Sequence, residues 1–119
     1  MPKTPEPAHR KADPAAAERR ILGLVGLGVR SRGVVVGVQQ VREAVRRGTL
    51  VVALVAMDAS SNSIDKIVPL LRARRIKLVE MPSAAQLGAA VGRDQTTAVG
   101  VVDRQLAAGI CDLVLDRAT

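Results

Sequence analysis

Apolar residues in this chain come in short blocks separated by polar joints, and the spacing within each block predicts its element. Residues 19–29 read as a first helix, whose intrinsic propensity is lowered by Gly23, Gly26 and Gly28. Gly33 to Val36 is a short β-branched run and reads as a strand. Gly37 then opens the stretch VQQVREAVRRG, in which Val38, Val41 and Val45 recur at i, i+3 and i+7, the spacing of one helical face. Gly48 closes that helix. Residues 50–56 (LVVALVA) are apolar throughout, the pattern of a strand covered on both faces. The joint DASSNS follows, with several candidate helix caps. A helix carrying Ile64, Ile67, Val68 and Leu71 comes next, and Pro69 is expected to break or kink it. Ile76 to Val79 reads as a third strand. Pro82 and Ser83 start a helix through AAQLGAAVG, and Thr96 to Val102 reads as a fourth strand. A last helix begins at Asp103 or Arg104 and reaches about Leu115. Such alternation predicts an α/β protein, a three-layer αβα sandwich with helices on both faces of a mixed sheet of four or so strands.

The start of the chain breaks this pattern. Four of the six prolines lie within residues 1–17, among alanines and mixed charges, so residues 1–18 are expected to form a disordered leader before a single domain at 19–119. Residues 1–18 carry equal numbers of basic and acidic groups, so the net charge of +7 falls entirely on the domain. A basic surface attracts polyanions.

Composition narrows the partners. The chain has no Phe, Tyr or Trp, which excludes modules that stack bases on aromatic rings. One Cys and one His exclude a zinc finger and any disulfide within the chain. Cys111, in the apolar stretch GICDLVL, reads as a small core residue, and His9 has no evident catalytic partner. The apolar runs at 21–29 and 50–57 are shorter than the roughly 20 residues that span a bilayer. The first is followed by Arg30, Ser31 and Arg32 instead of a signal-peptide cleavage site, so the expected location is cytoplasmic. Ser60, Ser61 and Ser63 lack a base, and Asp58 and Asp65 read as caps before they read as a metal pair. The glycines of GLVGLG do not have dinucleotide-binding spacing. No enzyme, metal, cofactor or small-molecule substrate is expected.

The informative segment is Gly37 to Gly48. A strand feeding a helix through glycine leaves unpaired N–H groups at the helix start, where the dipole favours phosphate or carbonyl oxygens. Gln39 and Gln40 lie beside that end, with amides that suit the mixed donor and acceptor edge of a base. Arg42 and Arg46 extend the flank of Gln39, and Arg47 falls near Gln40. Glu43 has arginines at i+3 and i+4 and is expected to pair with them. Arg72, Arg74, Arg75 and Lys77 fall at a predicted helix end, where cations suit the dipole; that local role ranks above a second RNA site.

The stretch GVQQVREAVRRG resembles the RNA-contacting helix of the ribosomal protein L7Ae superfamily, which binds kink-turn RNA. Further blocks agree in order: ILGLVGLGVRSRGVVVG, LVVALVAMDASSNS, IVPLLRARRIKLVEM and AAQLGAAVGRDQTTAVGVVD, together covering about residues 19–110. The resemblance implies that Gly37 brings backbone to the RNA, with Val38 beside it, and that Gln39 and Gln40 stand where the family has its Asn and the Glu that reads sheared G·A pairs. It implies that Gly92, Arg93, Asp94 and Gln95 form the loop that touches flipped-out bases. Two positions differ from the family: Gln40 lacks a carboxylate, and Glu43 replaces a common Lys. The resulting expectation is a non-catalytic RNA-binding protein of a ribosome or other ribonucleoprotein. The alternatives are a protein-interaction member of the same fold and an in-trans RNA-targeting module for a modifying enzyme.

Overall fold

The computed structural model describes residues 13–118, and these form ten elements. In chain order they are α1 (Pro14–Ser31), β1 (Val34–Val36), α2 (Val38–Arg47), β2 (Val52–Ala56), α3 (Ser61–Asp65), α4 (Val68–Ala73), β3 (Lys77–Met81), α5 (Ala84–Ala90), β4 (Ala98–Val101) and α6 (Arg104–Ala118). The strands form one mixed sheet in the order β1-β4-β2-β3. β4 runs antiparallel to both neighbours, with Val36 opposite Val99 and Val55 opposite Ala98, whereas β2 and β3 are parallel, with Ala56 opposite Met81.

Helices cover both faces. Along β2, Val52, Leu54 and Ala56 point one way and pack with Ile21, Val25, Leu87 and Ile110 of α1, α5 and α6. Ala53 and Val55 point the other way and pack with Val41 and Val45 of α2, Ile67 at the cap of α4 and Leu71 within it. All five β2 residues are buried, which is why the strand reads as an unbroken apolar run rather than an alternation. Cys111 is half-buried and packs at the margin of the first cluster. The expected three-layer sandwich is therefore the observed one.

Differences from the sequence reading lie at element ends. Helix α1 begins at Pro14, inside the segment assigned to the leader: the Asp13 side chain accepts from the Ala16 N–H, Pro14 needs no N–H partner at that position, and Ala17 is buried. The leader assignment for residues 1–12, and His9 with it, lies outside the described residues. Gly28 does not interrupt α1, because its missing side chain lets the helix approach Val34 and Leu106; an added Cβ would lie 2.6 Å from each. The single helix expected around Pro69 is two short ones. The chain breaks at Lys66–Ile67, and Pro69 stands in the first turn of α4, where its lack of an N–H costs nothing. The fourth strand starts at Ala98 rather than Thr96, because the Thr96 N–H bonds to the Ala84 carbonyl at the start of α5 instead of joining the ladder. Arg117 ties α6 down by donating to the Glu80 carbonyl (2.8 Å) and pairing with Glu18 of α1 (3.4 Å).

Candidate nucleic-acid interface

The strand order gathers four connections at one end of the sandwich. Because β4 is antiparallel to β1 and β2, and β3 is parallel to β2, the ends of β1, β2 and β3 lie at the same edge of the sheet as the start of β4. Gly37, the joint at 57–60, the turn at 82–83 and the loop at 91–97 therefore share one edge. A polar cleft of about 460 Å³ opens there, lined by Val38, Asp58, Ser60, Ser63, Gln95 and Thr97 among others.

Each wall has a local cause. Gly37 adopts φ 97° and ψ 156°, a conformation that a side chain disfavours, and this turns β1 directly into α2. Its N–H bonds to the Ala98 carbonyl, fixing the elbow to β4 (2.8 Å). No side chain caps α2, so its first-turn N–H groups point out of the sheet end beside the cleft. Asp58 accepts from the Ala84 N–H (2.8 Å) and Ser83 from the Gln86 N–H (3.0 Å), together capping α5. Ser60 caps α3 through the Ser63 N–H. The loop folds back on α5, with the Arg93 N–H on the Gly88 carbonyl (2.8 Å).

The residues expected from the sequence divide into two groups. Val38 and Gln95 line the cleft and Gly37 precedes Val38 at its edge, whereas Gly92, Arg93 and Asp94 are exposed on the loop that carries Gln95. Gln39, Arg42, Glu43 and Arg46 line a separate groove of about 300 Å³ beside α2, and Val38, Gln39 and Arg42 also line a space with Ser63 and Lys66 that joins the two. Gln40 and Arg47 are exposed on the outer side of α2. Arg42 is more constrained than its place in the sequence implies, since its Nη1 donates to the Lys66 carbonyl (2.6 Å) and holds α2 against the end of α3. The joint residues Ser60 and Ser63 and Thr97 were not expected at the site. The only signal for Ser60 and Ser63 was that DASSNS follows a buried strand, and strand order alone shows where that strand ends.

Glu43 pairs as its spacing implies: Oε2 lies 2.5 Å from Arg46 Nη2 and 2.8 Å from Arg47 Nε. Hydrogen bonds from Arg46 and then Arg47 hold its carboxyl below the usual glutamate range. A lowered folded-state pKa means that the pairing supports the fold above the ordinary glutamate pKa and is lost as pH falls through the lowered value. An NMR titration of the Glu43 carboxyl is expected to show a midpoint below that of an unpaired glutamate. Arg46→Ala together with Arg47→Ala should return the midpoint to the ordinary range.

The model of the ribosomal protein L7Ae/L30e/S12e/Gadd45 family matches residues 19–111. The chain belongs to that family. Among its relatives, the RNA-binding protein YlxQ of Bacillus subtilis (strain 168) is 30% identical over 91 residues, covering 76% of this chain and 91% of the relative. A solved structure of a protein of unknown function from Bacillus halodurans C superposes with a TM-score of 0.73 at 26% identity, covering 79% of this chain and 95% of that one. A Giardia lamblia 15.5kD RNA binding protein shares the fold, with a TM-score of 0.70 at 20% identity over 83% of this chain and 85% of its own. Family membership extends to the chemistry-bearing segments, because the matched residues include α2, the joint after β2 and the 91–97 loop. No helix of the structure is long and apolar enough to cross a membrane among the described residues.

Proposed function

We propose that this protein is a non-catalytic RNA-binding member of the family and that it grips a structured RNA of the kink-turn type at the sheet end described above, as part of a ribonucleoprotein. The observation that carries the reading is the convergence on one edge of the uncapped α2 start, the joint after β2 and the 91–97 loop, with Gln39 and Gln40 exposed in the first turn of α2. Backbone N–H groups at a helix start suit phosphate and carbonyl oxygens, and the glutamines suit base edges. The polar cleft has room for a base unstacked at a kink, bounded by Ser60, Ser63, Gln95 and Thr97. The relative named as an RNA-binding protein supports RNA as the partner.

The test is a titration of a kink-turn RNA against the same RNA with its G·A pairs replaced by Watson–Crick pairs. Tighter binding of the kink-turn supports the proposal, and equal affinity sinks kink-turn recognition. Gln40→Glu probes the reading side chain. A carboxylate accepts charge-assisted bonds from a guanine edge that an amide accepts less strongly, a difference of about 1 kcal/mol. The variant is expected to bind the kink-turn about fivefold more tightly and the replaced RNA no better. Unchanged affinity for both would mean that Gln40 does not face the bases.

A further inference from the structure

The tip of α2 accounts for little of the positive charge. Between residues 66 and 77, five Lys and Arg stand with no acidic residue among them. Lys77 alternates with Val79 and Met81 and so falls on the sheet face of the opposite layer, that of α1, α5 and α6. The other four belong to the α2–α3–α4 layer. Within it, Arg46 and Arg47 are held by Glu43, and Arg42 by the Lys66 carbonyl. Arg72, Arg74, Arg75 and Lys77 are exposed and make no ion pair among the described residues. A helix-dipole role explains them poorly, since α4 has only six residues and Lys77 belongs to β3.

Tertiary packing places part of this cluster beside the α2 face. Arg74 lines the same groove of about 300 Å³ as Gln39, Arg42 and Arg46, with Val45 and Leu70 as its apolar floor. Arg42 and Arg46 are one helical turn apart, about 6 Å along the axis. The carboxylate of Glu43 in this groove is neutralised by its two arginines, so it does not reverse the local field. The result is a cationic groove that starts at the α2 tip and leads away from the cleft towards the α4–β3 turn.

We propose that this groove carries the phosphate backbone of an RNA stem leaving the kink: Arg74 engages it with Arg42 and Arg46, and Arg72 and Arg75 extend the track along the end of α4 and its turn into β3. The proposal rests on the RNA reading above and adds a second contact region to it. Phosphate contacts of this kind raise affinity and set the position of the stem without reading sequence.

The test compares two kink-turn RNAs that share a core, one with both stems cut back to a few base pairs and one with both stems extended. The full chain is measured beside Arg72→Gln/Arg74→Gln/Arg75→Gln, and beside an equal charge loss on the opposite layer, Arg20→Gln/Arg30→Gln/Arg104→Gln. All six positions are exposed, and circular dichroism melts check that both variants fold. The first variant is expected to lose about tenfold in affinity for the extended RNA, with its log–log salt slope shallower by about 2–3, and little for the shortened one. The opposite-layer variant should bind both like the parent. Parent-like binding of the extended RNA by the first variant overturns the stem track while leaving the α2-tip reading standing. So does an equal loss in the two variants, or an equal loss on both RNAs. Failure of the parent chain to bind either RNA overturns both proposals.

Discussion

Gly88→Ala is expected to lower the melting temperature by roughly 10–20 °C, the consequence of about 2–3 kcal/mol in a domain of this size. Gly88 lies in α5 under the loop that precedes β4. A Cβ there would collide with the Gln95 backbone, against Cα, N (2.7 Å) and C (2.8 Å). Backbone cannot rotate aside as a flexible side chain does, so the loop or the helix must shift. The loop is also tied to α5 at the Gly88 carbonyl through Arg93 and at the Ala84 carbonyl through Thr96, so the strain spreads through the whole 91–97 segment. RNA affinity should fall with it, measured at a temperature where the variant is still folded. Gly23→Ala provides the control. Gly23 sits within α1 in the same layer with nothing near its would-be Cβ, so that change should stabilise by about 0.5–1 kcal/mol. Stabilisation of similar size in both variants would show that helix propensity, and not the approach of Gln95, governs Gly88.

Replacing Gly37 by alanine separates folding from recognition. Its Cβ would meet nothing within 4 Å, so the cost is conformational: φ 97° with ψ 156° is almost confined to glycine and costs about 1–3 kcal/mol for another residue. The chain can relieve that strain by turning the elbow, which breaks the Gly37–Ala98 hydrogen bond and re-aims the first-turn N–H groups of α2. At least tenfold weaker RNA binding is expected from a variant whose melt is only moderately lowered. Gly48→Ala places a side chain at φ 74° at the opposite end of the same helix and should cost about 1–2 kcal/mol while leaving affinity unchanged. Equal losses of affinity in the two variants would assign the effect to helix stability in general.

Much of this architecture was legible along the chain, because the signals are local. The unbroken LVVALVA run reported a strand covered on both faces, and burial of all five β2 residues is its direct cause. Val41 and Val45 reported the inner face of α2, and Gly37 and Gly48 its two ends. The Glu43 pairing was legible too, because i+3 and i+4 spacing on a helix determines proximity before any tertiary contact forms. Element ends were less legible. Thr96 is β-branched and extends the apparent strand, yet its N–H is taken by a carbonyl twelve residues earlier in the chain. The glycines of α1 argued for a weaker helix than the structure has, because propensity does not register the packing that Gly28 permits.

By itself, the sequence determined the order of strands and helices, apart from the break at Lys66–Ile67, as well as both core faces and the elbow at Gly37. These follow from periodicity and local backbone preference. Only the tertiary structure decided that β4 inserts between β1 and β2, and that choice brings the joint after β2, the start of α5 and the 91–97 loop to the α2 tip. It also decided that Arg74, which the chain places at the end of another helix, shares a groove with Arg42 and Arg46, and that Gly88 must be glycine because Gln95 lies on it. Such juxtapositions join residues far apart in the chain. They depend on which strand pairs with which, and no local pattern of apolar and polar positions encodes that pairing.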